Sequence, residues 1–370
     1  MTKPIGMGVV GAGAIALRGV LNHLSVEDVH DRVKPVAVCD PFPGRAKAAA
    51  EKFGAARWYE TYEELLADPA VDAVSLCSPI GLHYQQGMQA IEAGKHIHFN
   101  KTMATTVAEC DDLMARAAAG KLRLVASPGM MLHPHNQRIR EAVRGGAIGQ
   151  LIWAVAGVSG AADYHLGEEF RTDDDVLTSI DPTWYFRKPG GGPLYDVIVY
   201  CLHNLTGILG PAHRVTALSG LAVKEREFRG ATITCDMDDS TFMLLDFGDT
   251  AYAVVYGTVA GSVTQGFQPT LFGTRGSVVG TEVNGESMRR EGDGMPHWTG
   301  PHREMPEAHV YEDVMQLVDW VREGKPSIAN AEHARHVIDI FESAYRSAQT
   351  GKTQDLVTAG KGWRPPGSGR

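Results

Sequence analysis

The stretch Ile5-Gly6-Met7-Gly8-Val9-Val10-Gly11-Ala12-Gly13-Ala14-Ile15-Ala16 decides how the chain is to be read. A short β-rich run, Ile5 to Val10, passes through glycines into Ala14 to Leu24, which suits a helix. Glycines at 11 and 13 let backbone approach a pyrophosphate, whose charge is favoured at a helix N-terminus; Ala16 stands where helix must pack close on strand. A plain tight turn would read the same way in isolation, so the context matters. Further β-rich runs follow at Pro35 to Cys39, Ala73 to Cys77, His96 to Phe99 and Leu122 to Ala126. Between them lie helical segments at Arg45 to Phe53, Leu82 to Ala93 and Val107 to Ala119. This alternation predicts βαβ units and a doubly wound parallel sheet over residues 1–128.

The ends of the later strands carry the next candidates. Asp40, 27 residues beyond Gly13, is placed to accept hydrogen bonds from an adenosine ribose. A 2′-phosphate would meet its charge, so NAD is expected, while Arg45 nearby leaves NADP possible. A turn aspartate before Pro41 is the plainer alternative. Ser78-Pro79-Ile80-Gly81-Leu82-His83 forms a strand-to-helix turn at the carboxyl edge, where ligands of open α/β sheets bind. His96-Ile97-His98-Phe99-Asn100-Lys101-Thr102 brings another strand to that edge and leaves Lys101 at its tip, above the expected nicotinamide. His96 and His98 share a strand face, but no third ligand has suitable spacing, so no metal is expected. The expected cofactor contacts are Gly11, Gly13, Ala14, Ile15, Asp40, Arg45, Ser78, Pro79, His83, Asn100 and Lys101.

Gly190-Gly191-Gly192-Pro193-Leu194-Tyr195-Asp196 and the residues after it read as a helix, with Pro193 at its first position and Gly210-Pro211 as its stop. Helical spacing puts Leu194, Val197, Ile198, Cys201, Leu205 and Ile208 on one stripe, with Asp196, Tyr200, His203, Asn204 and Gly207 roughly opposite. No Lys, Arg or Glu occurs from Leu194 to Gly210, so the second face suits a cleft wall better than a solvated surface.

A length of 370 residues exceeds one ordinary core and predicts two domains. Residues 129–351 show longer apolar alternations with few helices between them, as in a large, mainly antiparallel open sheet of an α+β domain. Val310 to Val321 and Val337 to Tyr345 read as closing helices that can pack back on the first domain, and residues 352–370 as a loosely ordered tail. A net charge of −9, from 44 acids and 35 bases, argues against nucleic acid or an anionic membrane as partner. No run of 18 apolar residues appears, no secretory signal is recognisable, and five cysteines lack a C-x-x-C pair, which together predict a cytoplasmic protein with reduced thiols.

The glycine turn, Ser78 to His83, Asn100-Lys101-Thr102 and Gly190-Gly191-Gly192 leading to Asp196 together resemble the glucose–fructose oxidoreductase, inositol dehydrogenase and rhizopine-catabolism family (Gfo/Idh/MocA) of NAD(P)-dependent oxidoreductases. The resemblance covers nearly the whole chain and implies an N-terminal Rossmann domain and hydride transfer between nicotinamide and a secondary alcohol of a sugar, glycoside or cyclitol. It implies Lys101, Asp196 and Tyr200 as catalytic residues, with His203 at a position that often meets substrate. It also implies a homodimer or homotetramer built through the C-terminal sheet. Two other activities stay open on the same fold: a non-catalytic dinucleotide-binding regulator and redox-assisted glycoside cleavage.

The family's Glu-Lys-Pro triplet is Asn100-Lys101-Thr102 here. A cis bond before a residue other than proline costs about 3 kcal/mol, so either the turn is trans or strain is held there. Tyr200 can act as a base only if a cation favours its phenolate, and Lys101 is the expected cation. Trp184 and Arg187 offer an aromatic face and a guanidinium to a polyol; His133 and His309 are weaker pocket candidates. Asp173 to Asp175 read as an exposed loop.

Overall fold

In a computed structural model the described residues are 3–160, 171, 175–261 and 266–359. Strand β1 (Ile5–Val10) is buried along its whole length, as a parallel strand covered on both faces must be. With β2 (Val33–Cys39), β3 (Arg57–Tyr59), β4 (Ala73–Leu76), β5 (His96–Phe99) and β6 (Leu124–Ala126) it forms a sheet in the order β3-β2-β1-β4-β5-β6. Every pairing is parallel. The order reverses between β1 and β4, which opens a crevice at their carboxyl ends. The connecting helices are α1 (a π-helical stretch, Ala16–Leu21, continued by Asn22–Leu24), α2 (Arg45–Phe53), α3 (Tyr62–Ala67), α4 (His83–Glu92) and α5 (Val107–Ala119). β3 and α3 escape the sequence reading because three and six residues are too few to show a period.

Helix α6 (Pro134–Arg144) leads into the second sheet. Its strands are β7 (Leu151–Ser159), β8 (Arg214–Gly220), β11 (Ser240–Asp246), β12 (Tyr252–Thr258), β13 (Gly266–Gly273), β14 (Gly276–Val279), β15 (Glu282–Val283), β16 (Glu286–Ser287) and β17 (Gln354–Asp355). A separate hairpin joins β9 (Glu225–Phe228) to β10 (Ala231–Thr234). The order β16-β15-β14-β13-β7-β12-β11-β8-β17 is antiparallel except where β12 runs parallel to β7. One face packs Ala154, Val215, Met243, Leu245 and Val255 into the core, while Trp153, Leu218, Phe242, Leu244 and Val254 stand exposed on the other.

Helix α7, a π-helical stretch Leu194–Ile198 continued by Val199–Leu209, narrows the two-faced reading. Every residue from Leu194 to Ile208 is buried, between β13 and β7 on one side and α6 on the other. Several of its polar groups are bonded inside the protein: Thr206 Oγ1 donates to Leu202 O at 2.6 Å, and Asn204 Nδ2 to Phe267 O at 3.0 Å, while Asn204 Oδ1 is buried without a partner among the described residues. Gly190, before this helix, has φ 87°, and a Cβ there would stand 3.0 Å from Gly81 N. The glycine run thus lets the second part of the chain touch the turn after β4.

The last two helices return. α8 (Ala308–Glu323) packs on β5, β6 and α1, and α9 (Ala331–Thr350) lies against β8 and α5. Val310, Val314, Leu317 and Val318 share one core with Met7 and Val9 of the first sheet and Leu21 of α1.

Candidate active site

The floor of the crevice is backbone. Gly11 has φ 86°, and a Cβ there would lie 2.9 Å from Ser78 N, so the glycine lets the tips of β1 and β4 meet. A Cβ on Gly13 would meet nothing within 4 Å, which leaves room for a phosphate over Ala14 and Ile15 at the head of α1. Asp40 is buried, and its carboxylate accepts from Ala12 N–H at 2.8 Å and Phe42 N–H at 2.9 Å. Lone pairs remain on both oxygens for ribose hydroxyls. Arg45 lies 3.5 Å from Asp40, stacks on Phe42, and donates to Val176 O and Ser179 O at 3.0 and 2.6 Å. Its charge is balanced and its fork engaged, an arrangement that fits NAD better than a 2′-phosphate. His83 is fully buried with Nδ1 2.6 Å from Thr102 O and Nε2 3.0 Å from Ser78 O. It clamps the Ser78-Pro79 turn to the segment after β5; burial holds its imidazole below the ordinary range.

At the tip of β5, Asn100 Oδ1 accepts from Lys101 N–H at 2.8 Å, and the Lys101–Thr102 peptide bond is cis. Lys101 Nζ is hydrogen-bonded and ion-paired to Asp196 Oδ1, and stands 5.4 Å from the centre of the Tyr200 ring. Asp196 and Tyr200 lie one turn apart on α7, so both address the strand tip. The Tyr200 ring stacks on Phe267 at 4.5 Å, and its hydroxyl lies 3.2 Å from His309 Nε2. His309 Nδ1 is 3.6 Å from Glu307 Oε2, and Glu307 Oε1 is 3.1 Å from Arg18 Nη2 on α1.

The expected phenolate at Tyr200 is not what this surrounding favours. Burial, then the charges of Asp196, Glu307 and Asp313, push the phenol well above its ordinary pKa near 10. Lys101 is engaged with Asp196 and faces the ring rather than being bonded to the phenol oxygen. Tyr200 is thus a neutral phenol at physiological pH, hydrogen-bonded to an imidazole.

His203, one turn beyond Tyr200, packs its ring 4.5 Å from His333 on α9, and burial pushes its imidazole down to about 3. Trp184 is half-buried, edge-on to Tyr185 at 6.0 Å, and Arg187 is exposed. His133 stands 5.0 Å from His135 and edge-on to Trp298 at 5.5 Å; burial, then His135 and His309, push it down to about 3. Asp173 and Asp174 lie outside the described residues, while Asp175 accepts from Leu177 N–H at 2.6 Å in a turn.

Sequence reasoning missed Glu307, Phe267 and Asp313. Asp313 is fully buried on α8, where Oδ2 accepts from Ser127 Oγ at 2.6 Å and Gly129 N–H at 3.3 Å; burial pushes it up to about 7. Ser127 also meets His98 Nε2 at 2.9 Å, and His98 Nδ1 meets Ser75 Oγ at 2.9 Å. His98 therefore belongs to a buried hydrogen-bond network, and among the described residues no three His, Cys, Asp or Glu side chains cluster as metal ligands. The signal at Glu307 was masked by the apolar stripe that begins at Val310, whereas His309 stood among the weaker pocket candidates.

Two family models match the chain. One, described as an oxidoreductase family with an NAD-binding Rossmann fold, covers residues 5–127; the other, a GFO/IDH/MocA C-terminal domain, covers residues 136–279. The chain is 32% identical to the uncharacterized oxidoreductase YrbE of Bacillus subtilis, over 73% of this chain and 76% of that one. It is 26% identical to D-glucoside 3-dehydrogenase of Escherichia coli, over 96% and 98% of the two chains. The WlbA dehydrogenase of Bordetella pertussis, solved in complex with NADH and UDP-GlcNAcA, shares the fold with a TM-score of 0.71 at 20% identity, over 95% and 99%.

Proposed function

Because the chain belongs to the Gfo/Idh/MocA family of NAD-binding oxidoreductases, we propose that it reversibly oxidises a secondary alcohol of a sugar, glycoside or cyclitol to the ketone or lactone. The observation that carries this reading is the Lys101–Asp196 pair at the carboxyl edge of the first sheet, facing the Tyr200 ring. NAD supplies the hydride acceptor when bound, held by the Gly11–Ile15 turn and Asp40. Lys101 then anchors the substrate oxygen, Asp196 fixes Lys101, and Tyr200 exchanges the hydroxyl proton. The name of one relative, D-glucoside 3-dehydrogenase, supports a glycoside oxidised at a ring carbon.

The exposed Trp153, Leu218, Phe242, Leu244 and Val254 support pairing of two open sheet faces in a homo-oligomer. Among the described residues no helix is long and apolar enough to cross a membrane. Five free, buried cysteines suit a reducing compartment, in keeping with the cytoplasm. The test is NADH absorbance with a panel of glycosides and cyclitols, run in both directions: sugar-dependent formation or consumption of NADH is expected. Silence with every sugar would sink the reading.

A further inference from the structure

Oxidation needs a group that takes the proton of the substrate hydroxyl, and Tyr200 alone is ill suited to keep it. Only 8% of Tyr200 is exposed, and Asp196, Glu307 and Asp313 all oppose a negative oxygen there. The hydroxyl instead meets His309 Nε2 at 3.2 Å. We propose that His309, backed by Glu307, is the proton store behind Tyr200, an assignment that rests on the oxidoreductase reading above.

The step balances as follows. The substrate O–H bond breaks and its proton moves to Tyr200 Oη as the phenol proton moves to His309 Nε2. The hydride of the same carbon goes to the oxidised nicotinamide, and the C=O bond forms. Tyr200 is neutral before and after, so no phenolate need persist where burial and three carboxylates oppose it. Reduction reverses each transfer.

The surroundings of His309 are arranged for this. To accept at Nε2 the neutral ring must carry its hydrogen on Nδ1, the nitrogen that faces Glu307 at 3.6 Å. That separation is a charge contact rather than a hydrogen bond, and it favours both this tautomer and the imidazolium that forms, as a carboxylate does in a catalytic triad. Arg18 holds the other oxygen of Glu307 at 3.1 Å, which ties the store to the helix after the glycine turn. His309 has 28% of its side chain exposed, against 4% for Asp196, so a proton parked on His309 can leave to water.

The titratable groups around His309 are Glu307 before its own helix, Lys101 at the tip of β5, His23 on α1, His133 after β6 and Tyr200 on α7. Burial, opposed by Glu307 and assisted by Lys101, holds His309 below its ordinary 6.5. Burial holds His23 at about 4 and His133 at about 3, so both are neutral at physiological pH.

The test combines kinetics of the full-length, NAD-loaded enzyme with nitrogen-15 histidine NMR of the cofactor-free protein. His309→Gln should lower kcat for oxidation about a hundredfold, leave NAD affinity unchanged, and abolish the acid limb of the kcat profile below pH 6.5. Glu307→Gln removes the countercharge of the imidazolium and should move that limb to lower pH. A uniform loss in His309→Gln with the limb intact would assign His309 to packing and overturn the proposal. In the NMR experiment Tyr200→Phe should shift the His309 Nε2 resonance; an unmoved resonance would overturn it independently of turnover. If the native enzyme turns over no sugar at all, the substrate reading fails, and the resonance still decides the Tyr200–His309 contact.

Discussion

The floor of the crevice and the wall above it handle buried carboxylates in opposite ways. On the floor, Asp40 is held by two backbone N–H groups and by Arg45 five residues on. In the wall, Asp196 pairs with Lys101, 95 residues away, and Asp313 has one oxygen bonded to Ser127 and Gly129 and the other buried without a partner among the described residues. Backbone dipoles fixed by a short turn cannot be lost by a side-chain change elsewhere. A wall of side chains from α7, α8 and a strand tip can, so its chemistry and its stability are coupled.

The sharpest way to break the contrast is Lys101→Met. It should lower turnover about a thousandfold, as loss of a charge aimed at a reacting oxygen does, and cost about 3 kcal/mol by leaving Asp196 buried without its cation. Adding Asp196→Leu should restore the melting temperature and leave turnover low; recovery of turnover would remove the pair from the chemistry. Tyr200→Phe should reduce turnover about a hundredfold with NAD binding intact, measured by steady-state kinetics and cofactor fluorescence. Near-native turnover would take Tyr200 out of the mechanism.

The floor should answer differently. Asp40→Ala should weaken NAD about tenfold and improve NADP, because Arg45 loses its countercharge; titration with both cofactors reads the ratio. Removing the acceptor of two N–H groups should cost about 1 to 2 kcal/mol, less than Lys101→Met, and a loss as large as that variant's would show that the floor is as coupled as the wall.

The smallest effect concerns pH. Asp313 is raised to about 7 in the folded chain against 3.8 unfolded, so it contributes stability that is fully present below pH 3.8 and is lost as pH rises through about 7. Asp313→Asn should flatten the decline of the melting temperature between pH 5 and 8. An unchanged slope would show that the Asp313 carboxyl titrates alike in both states.

The same contrast explains what could be read in advance. The glycine turn, Asp40 and the strand tips are local: each feature sits within a few residues of the strand that positions it, so spacing suffices. The Lys101–Asp196 pair was legible through resemblance, as two positions of a known pattern. The Tyr200 environment was legible only at His309, a weaker pocket candidate, because Phe267 and Glu307 reach it through tertiary packing and carry no shared period. The part of that α7 face beyond Tyr200, at His203 and Asn204, was misread for a similar reason. An absence of long charged residues marks a helix that avoids water, but it does not distinguish a cleft from an interior.

The return of α8 to the first sheet has a consequence for synthesis. The six parallel strands leave the ribosome well before residues 308–323, whose Val310, Val314, Leu317 and Val318 complete the core around Met7 and Val9. Until then the nascent Rossmann sheet carries an uncovered apolar flank, the kind of surface that recruits chaperones and seeds aggregation. The cofactor-binding half is therefore not a detachable module: a stop codon anywhere before Ala308 should yield insoluble chain rather than a small NAD-binding protein.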